Sequence, residues 1–372
     1  MLKLFPISVC AWILAYVSHC MSKYDKLRQV YLKKERIVWF CMVAMLAIFV
    51  GLRVHYNDTG AYTHAYDILS SSKGSLLQGM DWSIGSNPGF FLTNRILSRL
   101  GLSTQSFLMF YAVVTVGIYL WFIRKYTNNL WISLFLFITA GCYTFSMAAI
   151  KQTVAVAFCL LAVDKAIQKK YVWFIFWILI AITFHPYAIM YAIVPFMMFT
   201  PWTKRTWKML LIFGVAGILF QFLLGAVIGV TSLMGEEYTA QEFTGDGVNP
   251  FRLAVAAVPA VLSFIIRKEI EADNNPIMDL VVNLSMLNAE IMFVGLFGTA
   301  NYLARLANYF LIFQTLSLPL LINHFRREQR TILMVGMVIG YLLYFTYENV
   351  FAVNFDSDFN SISLLEYLRS LF

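Results

Sequence analysis

The chain has 372 residues, of which 60% are hydrophobic, 17% aromatic and 13% charged, with a formal net charge of +8 and a mean hydropathy of +0.70. A soluble globular protein carries about 25% charged residues, so this composition excludes an ordinary soluble domain and points to a polytopic membrane protein. The positive balance does not mark a nucleic-acid partner, because Lys and Arg lie in short loops between apolar runs rather than in one patch.

A spanning helix needs about 20 mostly apolar residues. The pattern predicts an all-α polytopic integral membrane protein of about 12 transmembrane helices, a single transmembrane domain over residues 1–372. The spans fall near 4–20, 37–52, 104–123, 129–146, 149–164, 171–185, 187–201, 207–231, 251–266, 277–298, 303–322 and 331–350. Residues 1–20 lack an A-x-A cleavage site and carry only Lys3 ahead of the apolar run, so they read as a first span rather than a signal peptide. The five cysteines, Cys10, Cys20, Cys41, Cys142 and Cys159, lie in or at the ends of apolar segments without a CxxC. That usage argues against disulfides and against a Cys-based metal site.

Loops 21–36, 124–128, 165–170, 202–206 with Lys208, 267–276 and 323–330 hold nineteen of the 28 Lys and Arg residues. With twelve spans all six fall on one side, which is then cytoplasmic, and both termini come out extracytoplasmic. Three pieces stand on the outer side: the long loop 53–103, the acidic and Gly-rich loop 232–250, and the tail 351–372. Within the first, Pro88–Leu100 has helical periodicity. Phe90, Phe91, Ile96, Leu97 and Leu100 would share an apolar side and Arg95 and Arg99 a basic one, as in an interfacial helix. The second suits a mobile loop. In the third, Asp356-Ser-Asp358 has a DxD shape but reads as structural or incidental in a floppy acidic segment, and the SISLLEYLRSLF end could lie along the membrane surface.

The polar residues that break the apolar pattern fall on the outer face. The stretch Gly51–Asp67, GLRVHYNDTGAYTHAYD, carries Arg53, His55, Asp58 and Tyr62 just beyond the second span. Lys151 and Gln152 open the fifth span, His185 ends the sixth, and Arg305 lies one turn into the eleventh. Singly, each has a plain explanation: Arg53 and Lys151 as interfacial anchors, His185 as a turn before Pro186. Arg305 has no other charge between Ala300 and Leu321, and Glu290 lies near the middle of the tenth span, two residues after Asn288. An intramembrane charge is a functional candidate by default, and an ion pair between Glu290 and Arg305 would be either part of a site or glue between helices. His64 and Asp67 read as solvated loop.

Cations facing an apolar vestibule can bind a phosphate or diphosphate, Arg by paired hydrogen bonds. A nearby His or Asp can take a proton from a hydroxyl. Tyrosines and Trp82 near these helix ends can form an interfacial belt or stack on sugars. A lipid diphosphate with a glycan head meets all three demands.

The residues resemble the EpsG family of Wzy-type polysaccharide polymerases. The resemblance rests on GLRxxxNDTGAY, NPGFFLTNRIL, KQTVAVAFCLLA, FHPYAIMYAIVPF and RLANYFLIFQTLSLPLL, in that order between about Gly51 and Leu321. It implies joining of repeat units carried on undecaprenyl diphosphate at the bacterial inner membrane, in exopolysaccharide, capsule or O-antigen synthesis, without a cofactor. Arg53, Asp58, Tyr62, Gln152, His185 and Arg305 match positions typical of the family. The chain departs from it at Lys151, where Arg is commoner, and at Asn87, where an acidic residue often precedes the Pro-Gly-Phe motif. The expected catalytic residues are Asp58, His185 and Arg305, with either Asp58 or His185 as the base. Arg53, Tyr62, Lys151, Gln152 and Glu290 are expected to bind substrate, and no metal is implied. Expected partners are the undecaprenyl-diphosphate-linked oligosaccharide as donor and acceptor, the lipid bilayer, and a flippase and chain-length regulator. The rival readings are a glycan or lipid transporter, a glycosyltransferase using a lipid-monophosphate sugar, and an acyltransferase built on His185.

Overall fold

The computed structural model describes residues 2–25, 30–33, 35–72, 75–235, 243, 247–298 and 300–371. Most of the acidic loop 232–250 and part of loop 21–36 therefore lie outside the described residues. Helices dominate, and the chain divides into two compact units, Met1–Lys165 with Lys170–Ala188 and Leu342–Phe372, and Ala166–Lys169 with Ile189–Tyr341.

Among the described residues four helices are long and apolar enough to cross a membrane: Leu4–Met21, Thr104–Tyr126, Pro276–Val294 and Arg327–Ala352. Two bent pairs bring the number to as many as six if each is one span, Leu130–Thr139 with Cys142–Ala148 (48°) and Lys204–Ile218 with Phe220–Leu233 (95°). Of the remaining expected spans, Ile150–Ile167 is as long as Leu4–Met21 but carries Lys151, Asp164 and Lys165, and the others are shorter or broken helices. The run near 187–201 is a 3-10 helix, Pro186–Met197, with Pro195 inside it. Proline removes an amide donor and clashes with the preceding turn, which disfavours a regular α-helix there. The run near 303–322 is split into Ala300–Ala307, Leu311–Phe313 and Gln314–Ile322.

In the first unit, helix Ile37–Gly51 packs along Thr104–Tyr126. The approach is close at Gly51, where a Cβ would stand 2.9 Å from Met109 Cα; only a glycine lets the two backbones come so near. Buried tyrosines donate hydrogen bonds to carbonyls of neighbouring elements, Tyr143 to Leu46 at 2.9 Å, Tyr119 to Thr153 at 3.2 Å and Tyr66 to Leu102 at 2.8 Å. In an apolar surround these bonds are what makes the hydroxyls tolerable. At the other end of Thr104–Tyr126, the buried Asp164 accepts from Tyr126 at 2.7 Å, Lys165 at 3.0 Å, and Lys125.

The long loop contains helices Thr59–Ser71 and Pro88–Arg99. The second is the expected interfacial helix, but its faces are not as the periodicity suggests. Ile96 and Leu100 are exposed, whereas Arg95 is 3% exposed. Its guanidinium donates to Leu69 O at 2.9 Å, to Ser72 O at 3.3 Å and to Ser72 Oγ. Leu69 O already accepts from Ser72 N at 3.3 Å and Ser72 Oγ at 2.9 Å, so Arg95 adds a charged donor at the C-terminal end of Thr59–Ser71, the pole where a cation is favoured. Arg95 is thus a clasp between two loop helices, not part of a solvated basic stripe.

The tail is another correction. Asn360–Ser361 forms an antiparallel pair with Arg53–His55, Arg53 opposite Ser361 and His55 opposite Asn360. Phe359 stacks on Phe49 (5.0 Å, 6°) and on Phe355 (4.8 Å, 16°). The acidic residues are occupied as well: Asp356 accepts from Leu2 N at 2.7 Å and Lys3 N at 3.1 Å, Asp358 from Asn57 N at 2.8 Å. The two aromatics anchor the segment that its acidic composition made look floppy.

The second unit is built on Pro276–Val294, almost wholly buried from Met278 onward and packed by Pro250–Ile265, Lys204–Ile218, Ala300–Ala307 and Gln314–Ile322. Its polar residues tie helices together. Asn283 donates to Met197 O at 2.9 Å and Phe199 O at 2.6 Å, and Ser285 meets Ser317 at 2.9 Å. Gln314 donates to Asn288 Oδ1 at 3.2 Å and accepts from Tyr341 at 3.2 Å.

Candidate functional site

The stretch after helix Ile37–Gly51 is a short strand, Arg53–His55, followed by a tight turn into Thr59–Ser71. Arg53 is 1% exposed. Its Nη1 donates to Val50 O at 2.6 Å and its Nε to Thr59 Oγ1 at 3.2 Å, while Gln105 Nε2 donates to Arg53 O at 3.1 Å. Burial pushes the guanidinium pKa down to about 10, against the opposite pull of the phenols of Tyr62 and Tyr143; the group is still a cation at neutral pH. Arg53 therefore pins the turn from inside, a different role from the interfacial anchor of the plain reading.

Asp58 is half-buried and stands at the N-cap of Thr59–Ser71, yet its side chain does not cap that helix. Aspartate is a favoured capping residue, but here the carboxylate does not serve the cap. Its carbonyl accepts from Ala61 N at 3.1 Å and Tyr62 N at 3.3 Å. One turn on, the Tyr62 ring meets Phe90 edge-on (5.9 Å, 66°).

Phe90 is the hub. Lys151 Nζ lies over its ring at 5.4 Å, Tyr111 stacks on it at 5.2 Å, and Tyr111 in turn donates to Asn94 Oδ1 at 2.8 Å. A quadrupolar ring attracts a cation to its negative face and pairs edge to face with another ring, so one side chain gathers Tyr62 and Lys151 from elements far apart in sequence. The Pro-Gly-Phe motif sets this up. Asn87 adopts the left-handed conformation at the N-cap (φ 55°, ψ 58°) and Pro88 occupies the first helical turn. Gly89 is pressed against helix Tyr171–Phe184, where a Cβ would lie 2.1 Å from Thr183 Oγ1 and 2.8 Å from Thr183 Cβ.

His185 follows directly. It ends Tyr171–Phe184 in an extended conformation (φ −157°, ψ 121°), as a residue before proline prefers. Its ring stands 5.6 Å from that of Tyr187. Gln152 is buried beside Lys151 in chain order, in the first turn of Ile150–Ile167. The first unit thus gathers Tyr62 and Lys151 on Phe90, next to the helix that presents His185, with Arg53 and Asp58 in the adjoining turn.

Glu290 and Arg305 belong to the second unit. Glu290 is 5% exposed, and neither carboxylate oxygen has a hydrogen-bond partner among the described residues. The ion pair with Arg305 that the sequence invited is not formed. Arg305 is exposed on the short helix Ala300–Ala307, whose end is held by Asn288 Nδ2 donating to Ala307 O at 2.6 Å. The break after Ala307 keeps Arg305 out of a continuous buried span, which removes the cost that a charge there would otherwise carry.

The sequence model of one protein family, described as the EpsG family, matches residues 36–367. The chain belongs to the EpsG family. No curated protein and no solved structure matches it significantly. The EpsG match takes in every candidate residue and also the tail strand Asn360–Ser361, and the first helix, Leu4–Met21, lies ahead of it. Sequence reasoning did not show what Phe90, Arg95, Asp358 and Gly89 hold together around these EpsG-family residues. Phe90 read as one more apolar residue, and Arg95 as a surface charge. Asp358 sits about 300 positions from the turn it binds, with no local signal of that contact. Gly89 alone carried a hint, since a glycine inside a helical pattern points to close approach.

Proposed function

We propose that this membrane protein is a polysaccharide polymerase that joins oligosaccharide repeat units carried on undecaprenyl diphosphate, at the outer face of the bacterial inner membrane. EpsG-family membership supports a Wzy-like polymerase. The single observation that carries the site assignment is the gathering of Tyr62 and Lys151 on Phe90, with Gly89 seated on the helix that ends at His185.

In the proposed reaction a sugar hydroxyl oxygen of the acceptor unit bonds to the anomeric carbon of the donor chain. The bond from that carbon to the diphosphate oxygen breaks, and undecaprenyl diphosphate leaves with the electron pair. The hydroxyl proton passes to Asp58 or His185. Charge building on the leaving diphosphate is the feature most in need of stabilisation; Lys151 and Arg305 are the candidates to neutralise it. Arg53 adds a buried positive charge and holds the turn. Tyr62 and Gln152 offer a phenol and an amide to the glycan, and Glu290 a carboxylate to its hydroxyls. The donor and acceptor would be delivered by a flippase, and the product would suit exopolysaccharide, capsule or O-antigen assembly with a chain-length regulator.

The test is the set of lipid-linked intermediates in a deletion strain. Single repeat units on the lipid should accumulate while polymer disappears. Complementation with Lys151→Arg should restore polymer, and Lys151→Met, inserted at the same level, should not. Polymer of normal length lacking only a side-branch sugar or an acetyl group would instead assign the protein to glycosyl or acyl modification.

A further inference from the structure

Residues 52–57 lead directly into Asp58, and the tail wraps them. Ile362 N donates to Leu52 O at 3.0 Å, and Arg53–His55 pairs with Asn360–Ser361. Phe355 and Phe359 meet the ring of Tyr56 at 5.0 and 6.2 Å. His55 Nδ1 stands 2.7 Å from Asp358 O; a carbonyl can only accept, so this nitrogen carries the proton and donates.

The bond nearest Asp58 is made by Asp358. Asn57 is in the left-handed region (φ 46°), which Asn enters more readily than most non-glycine residues. The usual local device for starting a helix is missing, because the Asp58 side chain does not cap Thr59–Ser71 and the Thr59 hydroxyl donates backwards to Tyr56 O at 2.6 Å. Beside the bonds of Arg53, the turn is held from about 300 residues away, by Asp358 Oδ2 accepting from Asn57 N at 2.8 Å. A charge-assisted bond of this kind is stronger than a neutral one.

We propose that Asp358 is a positioning residue for Asp58: by fixing the left-handed turn at Asn57 it sets the position of the Asp58 carboxylate. The tail is then a working part of the site, and the inference rests on the reading of Asp58 as a proton acceptor in the polymerase reaction.

The experiment uses the full-length protein reconstituted in liposomes with lipid-linked repeat units, comparing wild type, Asp58→Asn, Asp358→Asn, Asp358→Ala and the double variant Asp58→Asn/Asp358→Ala. A small misplacement of a reacting group costs up to about a hundredfold in rate. Asp358→Ala should lower turnover by about tenfold or more with KM for the lipid-linked unit unchanged. Asp358→Asn keeps an oxygen for the Asn57 amide and should recover most of the turnover. The double variant should be no slower than Asp58→Asn alone, as expected of two groups acting through one. If Asp358→Ala does not accumulate, Asp358→Glu is read in its place; it keeps the charge but moves the oxygens by one methylene, and should lower turnover at constant KM. Wild-type turnover in whichever of these accumulates, beside an inactive Asp58→Asn, overturns the positioning role and leaves the polymerase reading intact. Equal loss in Asp358→Ala and Asp358→Asn with a raised KM also overturns it, as general loosening. A fully active Asp58→Asn removes Asp58 as the base and the inference with it.

Discussion

Gly89 offers the sharpest test of how the site is assembled. Replacing it by alanine puts a methyl group 2.1 Å from Thr183 Oγ1, 2.8 Å from Thr183 Cβ and 3.1 Å from Phe184 Cε2. The hydroxyl cannot simply swing away at no cost, since it donates to Ile180 O at 2.7 Å and a β-branched side chain has few rotamers in a helix. Even with the hydroxyl gone, the Cβ at 2.8 Å is closer than carbon atoms tolerate. Helices Pro88–Arg99 and Tyr171–Phe184 must therefore part by something approaching 1 Å, an overpacking that costs about 1–3 kcal/mol. The functional loss should be larger than the stability loss, because Phe90 lies on one side of this contact and His185 on the other. A displacement on that scale is worth up to about a hundredfold in rate. The assay pairs thermal unfolding in detergent with polymer output from lipid-linked repeat units. Gly89→Ala should melt lower and make little polymer. Adding Thr183→Ala should recover part of both, and adding Thr183→Gly more of the polymer at some expense of helix stability. Wild-type polymer output from Gly89→Ala would refute the claim that this contact sets the spacing of the site.

Three further outcomes are expected. Arg305→Ala and Arg53→Ala should both abolish polymer, but only Arg53→Ala should lower the melting temperature, because Arg53 leaves Val50 O and Thr59 Oγ1 without their charged donor, a loss of about 1.5–3 kcal/mol; equal melting of the two would mean that the buried bonds count for little. Glu35 caps helix Ile37–Gly51 by accepting from Ile37 N at 2.6 Å, Val38 N at 3.0 Å and Trp39 N at 3.1 Å. Burial raises its pKa, but those three bonds and Arg124 outweigh it and hold the carboxyl below its usual range. A depressed carboxylate stabilises the fold above its unfolded pKa, about 4.3, and loses that contribution as pH falls through the folded value. Melting temperature should thus fall more steeply with acid in wild type than in Glu35→Gln, and parallel acid profiles would count against the cap. Finally, Glu290→Met should raise the melting temperature, since it removes a buried carboxyl with no hydrogen-bond partner, while reducing polymer; a variant both more stable and fully active would take Glu290 out of the site.

The sequence made the class of protein and most of its helices legible because both are local. Apolar runs report which stretches avoid water, and loop charges report their own position. What such runs do not report is backbone continuity. Hydropathy alone extends spans through Pro186–Met197 and across the break between Ala307 and Gln314, where the backbone does not continue as one helix. The candidate site was legible in the same partial way. Lys151, His185 and Asp58 stood out because each interrupts an apolar pattern. Phe90 could not stand out, being apolar among apolar neighbours, although it is the ring that brings Lys151 and Tyr62 together. Arg95 was misread for the opposite reason. Periodicity assigns every Arg to water, but the negative pole at the end of Thr59–Ser71, with the carbonyls of Leu69 and Ser72, offered it a buried place that competes with water. Asp358 was hidden by distance alone, and the two phenylalanines beside it, at 355 and 359, are the trace that an acidic stretch had an interior to reach. Residues that disturb a local pattern disclose themselves; those that complete a neighbour's unmet valences do so only once the neighbour is in view. A site assembled mainly from the second kind, as around Phe90 and Asn57, is therefore under-read by any count of unusual residues, and its supporting shell is where new functional positions should be sought first.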